Sequence, residues 1–395
     1  MSDPLLRYRS EFPILETCTY LVSHSLGALP ARGRAGLNHF AREWDELGVR
    51  AWRESWWNLG SELGDRVAGL LGASPGTVVM QPNVTLASAV FLSSVDFSPE
   101  RPKLVTTELD FPSLLYLYDR APFPNMEVVR VPSDDGLQID PGRLLDAIDT
   151  RTRVVAICHA LFRSAAIQDV RAVVEKAHRV GALVLVDLYQ SAGVLPVELE
   201  SWNVDAAVGG HLKWLLGGPG VAFLYVRPDL TSLTPRLTGW FAHDEPFAFA
   251  PPPQKPTRGA ARFATGTPAV APLRVAQASL EIIEEIGIDA IRDKSLRLTG
   301  RIIDRCEREG WPVRGPRDDA HRGGTVSLDP PHAYGCSQAL LDHDIVIDFR
   351  PGSGIRMSPH FYTSPREIDH ALDTLAHVLD AEEWRRFDGP RAHVT

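Results

Sequence analysis

Lys213 is the residue of this chain best suited to covalent chemistry. The sequence holds five lysines, so 36 of its 41 basic residues are arginine. Four of the five have ordinary surroundings. Lys103 opens a strand-like run behind Pro102, Lys176 lies on a polar helix face, Lys255 sits among prolines and Lys294 follows Asp293. Lys213 stands in the apolar window GGHLKWLLGGPG, between Leu212 and Trp214. Taking an ammonium out of water is costly; that cost lowers a lysine's pKa and makes the amine a nucleophile. The same window also fits a loop-edge lysine with no chemical task, so a partner has to decide.

Asp187 is that partner. It ends the apolar run LVLVD, 26 residues before Lys213 (213 − 187). In an open α/β sheet, ligands collect at the carboxyl ends of strands. A lone acid there also serves as a helix cap or loop brace. Paired with an activated amine, it can hold a protonated pyridine nitrogen while the amine takes a carbonyl carbon, as pyridoxal phosphate requires. The phosphate of that group needs a helix N-terminus. QPNVTLASAVFLSS supplies a turn at Pro82-Asn83 and a helix starting near Thr85, beside Val84, with backbone N–H groups and a hydroxyl for an anion. Phe111, in LDFPS, offers a face to a planar ring, although lone aromatics more often fill cores. GGPG (217–220) lacks the GxxxxGK[ST] pattern and reads as a turn into the next strand.

The elements that must position these groups form a strand–helix alternation between Val78 and Val226. TVVMQ (77–81), KLVTT (103–107), VVAIC (154–158), LVLVD (183–187) and VAFLYV (221–226) read as strands, several continuously apolar as in a parallel sheet covered on both faces. From Asp169 to Val180 a helix turns Val170, Val173, Val174 and Ala177 inward. This is the pattern of a doubly wound α/β domain. The prolines of APPPQKPTR (250–258) enforce a loop. Helices follow over 271–286 and 289–309, then a small strand–helix–strand set. A closing helix from Pro365 carries a capping signature in Ser364 and Glu367. We therefore expect an N-terminal segment (1–45), a large domain (46–255) and a small C-terminal domain (256–395).

Charge and composition narrow the class. A net charge of −9 with no local basic stripe argues against nucleic acid as partner. No apolar run reaches the roughly 18 residues of a membrane span, and the first residues do not resemble a signal peptide. Cys18, Cys158, Cys306 and Cys336 are far apart, without metal-ligand spacing. A cytoplasmic protein without a metal is the expectation.

The segment from Asp187 to Val226 resembles the class V, fold-type I pyridoxal-phosphate enzymes, and the likeness runs over nearly the whole chain. Within that group the motifs are similar to those of kynureninases and their relatives: YLVSHSLGALP (20–30), the tryptophan-rich stretch 44–57, FPS (111–113), LTGWFAHDEPFAF (237–249), Gly266-Thr267-Pro268 and IRMSPHFYTS (355–364). The resemblance implies a Schiff base at Lys213, Asp187 on the pyridinium nitrogen, Val84 and Thr85 on the phosphate, and Phe111 on the ring. It implies further cofactor contacts from Gln190 and His211, and phosphate contacts from Trp240 and Thr267 of a neighbouring subunit in a homodimer. Arg356, Ser25 and His24 would take the substrate's carboxylate, Arg356 through its planar fork.

Three positions depart from the kynureninase pattern. Leu212 replaces a tyrosine, Leu114 the aspartate of FPSD, and Gln190 a histidine. Cofactor binding and Cα–H labilisation survive these changes. We expect Cβ-bond cleavage or elimination on a kynurenine-like or cysteine-conjugate amino acid, in specialised biosynthesis. Authentic kynureninase activity is the first alternative. Class V transamination, epimerisation or decarboxylation-linked oxidative deamination, and an inactive binding protein of the same fold, are the others.

Overall fold

The computed structural model describes residues 3–120 and 123–387. The first strand, β1 (Thr19–Tyr20), precedes α1 (Ala31–Leu47) and α2 (Leu59–Leu70). The alternation follows in order: β2 (Val78–Gln81), α3 (Val84–Leu92), β3 (Lys103–Thr107), α4 (Pro112–Arg120), β4 (Glu127–Val131), α5 (Pro141–Asp146), β5 (Thr152–Cys158), α6 (Val170–Arg179), β6 (Leu183–Asp187), β7 (Ala206–Gly210) and β8 (Ala222–Val226). These seven strands, β2 to β8, make one sheet of order β2-β8-β7-β6-β5-β3-β4. β8 runs antiparallel to both its neighbours; the other pairings are parallel.

The five strands read from the sequence are all present. Two more, β4 and β7, complete the sheet. β4 lies at the sheet edge with Glu127 exposed, and β7 is built of alanine, valine and glycine. The apolar face of α6 is the expected one, with Val170, Val173, Val174 and Ala177 buried.

Beyond the 250–258 loop come α7 (Val270–Ile286), α8 (Ile288–Glu309), β9 (Val326–Leu328), α9 (Ala333–Asp342), β10 (Ile345–Val346), β11 (Asp348–Arg350), β12 (Gly354–Met357) and α10 (Pro365–Asp380). Ser364 and Glu367 form the capping box in both directions. A second core gathers Leu298, Ile302, Met357 and Leu372, joined by Leu21 from near β1. α7, although beyond residue 256, gives Val270, Leu273 and Leu280 to the larger core. β1 pairs in parallel with β10, so the start of the chain is stitched to the elements around the second core. Among the described residues, no helix is long and apolar enough to cross a membrane.

Candidate active site

The C-terminal ends of β3, β5 and β6 converge on one cavity of about 600 Å3. It is lined by Val84, Thr85, Phe111, Asp187, Gln190 and Lys213, together with Tyr189, Cys158, Phe162 and Leu212. Six residues chosen from the sequence thus come together, drawn from four separate stretches of chain.

Local chemistry explains each placement. Asn83 caps α3 by accepting from Leu86 N–H at 3.0 Å, which leaves the first helical N–H groups at Val84 and Thr85 without intrahelical partners. Asp110 anchors the loop that carries Phe111. Its Oδ2 accepts from Thr106 Oγ1 (2.8 Å), Thr107 N–H (2.9 Å) and Thr107 Oγ1 (3.0 Å), and its Oδ1 from Cys158 N–H (2.7 Å). Phe111 meets Phe162 edge to face at 5.2 Å. Asp187 Oδ1 accepts from Tyr189 N–H at 2.8 Å, turning the chain out of β6.

Lys213 is buried, with Nζ over two aromatic rings, 4.6 Å from the Tyr189 centroid and 5.5 Å from that of Phe111. Burial pushes its pKa down while the Asp187 charge opposes the shift. Burial likewise pushes the Asp187 carboxyl up, against its bond to Tyr189 N–H and the Lys213 charge. The Tyr189 phenol is raised to about 12 by burial and by Asp187, so it stays protonated.

Beside this cavity lies a second, fully buried network. Arg356 donates from Nε to Asp348 Oδ1 at 2.8 Å, from Nη2 to Asp348 Oδ2, and from Nη1 to Phe162 O at 2.6 Å. β11 and β12 set this up, because Asp348 and Arg356 are antiparallel register partners. His24 Nε2 stands 3.0 Å from Asp348 Oδ1 and its Nδ1 meets Ser358 Oγ. The contact with Asp348 requires the imidazole proton on Nε2. Burial would raise Asp348, yet His24 and Arg356 hold it well below the carboxylate range. Burial, reinforced by Arg356, lowers His24 to about 4. Arg356 therefore commits three of its five N–H groups to the protein and keeps two.

The remaining expected residues divide between the cavity wall and other places. Gln190 donates from its amide to His24 O (3.1 Å) and accepts from Trp214 Nε1 (3.1 Å), so both ends of that amide bridge protein. His211 is fully buried, does not line the cavity and has neither ring nitrogen hydrogen-bonded. Burial and Arg66 on α2 lower it to about 3. Ser25 turns with its N–H on Val22 O. Thr267 lines a different cavity of about 230 Å3 beside Trp57 and Gln81. Trp240 joins an aromatic surface cluster with Trp57, Phe247 and Phe249. Asp110, Tyr189 and Asp348 were not foreseen, since the Asp110–Cys158 bond, the approach of the Tyr189 ring to Lys213 and the Asp348–Arg356 register pair are marked by no local pattern. A tyrosine directly after a strand-ending aspartate turn was the one available signal.

A buried amine, a facing carboxylate, an exposed aromatic face and a helix N-terminus in one cavity form a donor set that fits pyridoxal 5′-phosphate. Among the described residues no His/Cys/Asp/Glu cluster could hold a metal. The family model "Aminotransferase class-V" matches residues 58–358. The chain belongs to that family. Kynureninase from Pseudomonas fluorescens is 33% identical over 399 residues, covering 97% of this chain and 94% of the relative. Kynureninase from Geobacillus thermodenitrificans is 31% identical over 413 residues, covering 99% and 95%. This class V member is thus kynureninase-like and a pyridoxal-phosphate-dependent enzyme. Its fold is shared with an apo cysteine desulfurase from Thermococcus onnurineus NA1 (TM-score 0.84, 22% identity, 96% and 99% of the two chains). It is also shared with the cystine C–S lyase C-DES bound to cysteine persulfide (TM-score 0.82, 22% identity, 92% and 99%).

Proposed function

We propose that this enzyme removes the Cα proton of an α-amino acid and then cleaves or eliminates at Cβ, on a kynurenine-like or cysteine-conjugate substrate. The observation that carries the reading is the sharing of one cavity by the Lys213 amine and the Asp187 carboxylate. Pyridoxal 5′-phosphate bound there supplies a carbonyl carbon and an electron-withdrawing ring. Lys213 would hold the group through its amine and would take the proton from Cα; burial favours the neutral amine this needs. Asp187 would hold a proton at the ring nitrogen, Phe111 would cover the ring, and the N–H groups at Val84 and Thr85 would take the phosphate. Gln190 fixes the wall through His24 and Trp214. Arg356 would present its two remaining N–H groups to the substrate carboxylate, with His24 linked to it through Asp348 and Ser25 next to His24 in the chain.

The enzyme works as a homodimer in this reading. Trp240, Phe247 and Phe249 are exposed on one chain, a patch that a second copy would cover while bringing Trp240 and Thr267 toward the partner's phosphate site. The second reading is hydrolysis of kynurenine itself, favoured by identity to kynureninases over nearly full length. Product analysis tests both. Pyruvate, ammonia and a thiol from an S-alkyl cysteine support elimination; anthranilate and alanine from kynurenine support hydrolysis. Recovery of the aminated cofactor alone would overturn both in favour of transamination.

A further inference from the structure

Tyr189 follows Asp187 by two residues, and nothing above gives it a task. Its ring lines the cavity, with Lys213 Nζ over the face at 4.6 Å. Its edge lies on Gly210, the last residue of β7: a Cβ there would come within 2.6 Å of Tyr189 Cε2 and 2.9 Å of Cζ. Gly210 does not adopt a positive φ, so what this glycine supplies is room for the ring. Phe111, the other ring near the amine, is 40% exposed, so Tyr189 is the more enclosed of the two. An aromatic face attracts an ammonium through its quadrupole, and more strongly where water is excluded.

We propose that Tyr189, seated on Gly210, is a positioning residue for Lys213, its ring face holding the ε-amine where the covalent chemistry begins. The chemistry named there rests on the function proposed above; the hold on the amine does not. Other groups bearing on the amine are Asp187 from β6, Asp348, Arg350 and Arg356 from the small domain, and His24 from the N-terminal segment. All of them stay in place in the variants below.

The test uses the full chain freed of bound cofactor, with Tyr189→Phe, Tyr189→Leu and Gly210→Ala variants. Acylation of Lys213 by an amine-reactive ester is followed against pH by peptide mass spectrometry, alongside absorbance on adding pyridoxal 5′-phosphate. Near-ultraviolet circular dichroism checks the fold. Loss of the ring face removes a stabiliser of the ammonium, so in Tyr189→Leu the pH at which Lys213 becomes reactive falls by about half to one unit. Tyr189→Phe keeps the parent profile. Gly210→Ala displaces the ring and follows Tyr189→Leu, and the double variant shifts no further than Tyr189→Leu alone. An unshifted or upward profile in Tyr189→Leu overturns the inference, as does a Tyr189→Phe profile matching Tyr189→Leu. If the variants show these shifts yet the parent gives no absorbance change with pyridoxal 5′-phosphate, the function reading falls and the role of Tyr189 stands.

Discussion

Arg356 grips Asp348 through two donors across an antiparallel register pair, and both side chains are almost wholly shielded from water. The pair orients the guanidinium, leaving its two free N–H groups in a fixed direction. Removing one charge strands the other in low dielectric. Asp348→Asn should therefore destabilise the fold by about 3–5 kcal/mol, read by chemical denaturation. In protein that still folds, KM should rise by roughly tenfold or more with a smaller change in kcat.

Four buried histidines make the fold sensitive to acid. Burial lowers His24, His159 and His360 to about 4 and His211 to about 3. Each stays neutral in the folded state but takes a proton on unfolding below about pH 6.5. The unfolded chain then binds more protons, so stability falls as pH falls from 6.5 toward 4. Between pH 7 and pH 5 each histidine should cost on the order of 2 kcal/mol, measured as the change in denaturant midpoint. Replacing His211 with leucine should reduce the pH slope by close to one proton, because this ring makes no hydrogen bond.

Lys213→Ala and Asp187→Asn should separate bonding from electronics. The alanine variant should lose turnover and any lysine-linked cofactor absorbance. The asparagine variant keeps an acceptor for Tyr189 N–H but no charge for a ring nitrogen. It should keep the linked cofactor and its melting temperature, and lose roughly 100- to 1,000-fold in kcat. Equal kcat in Asp187→Asn and the parent would remove Asp187 from the chemistry.

Asp110→Ala tests the loop that presents Phe111. Four donors converge on that carboxylate, all buried with it. Leaving them unpaired should cost about 2–4 kcal/mol. Cofactor affinity should fall with Phe111 no longer fixed, measured by absorbance titration.

The parallel strands were legible because both of their faces are covered, which writes continuous apolar runs such as LVLVD into the sequence. β4 escaped because an edge strand tolerates Glu127 and Arg130 among its valines, and β7 because AAVGG carries almost no side chain to signal burial. Lys213 and Asp187 stood out through solvation, a charge in an apolar window and an acid at a strand end. Asp348 carried no such mark, since its meaning comes from Arg356 across a register no local pattern reveals. His211 was expected, from the family resemblance, to contact the cofactor. It lies instead in the interior with Arg66 nearby, because the chain turns between them.

The pairing of Thr19 and Tyr20 with Ile345 and Val346 ties an early segment to one made more than three hundred residues later. His24, a few residues on, closes on Asp348 in the same late stretch. As the chain leaves the ribosome, the seven-stranded sheet can fold around Asp187 and Lys213 while β1 still waits for its partner strand. The Asp187–Lys213 pair is thus made well before Asp348 and Arg356, and the network that His24 shares with them cannot close until residue 356 has been added.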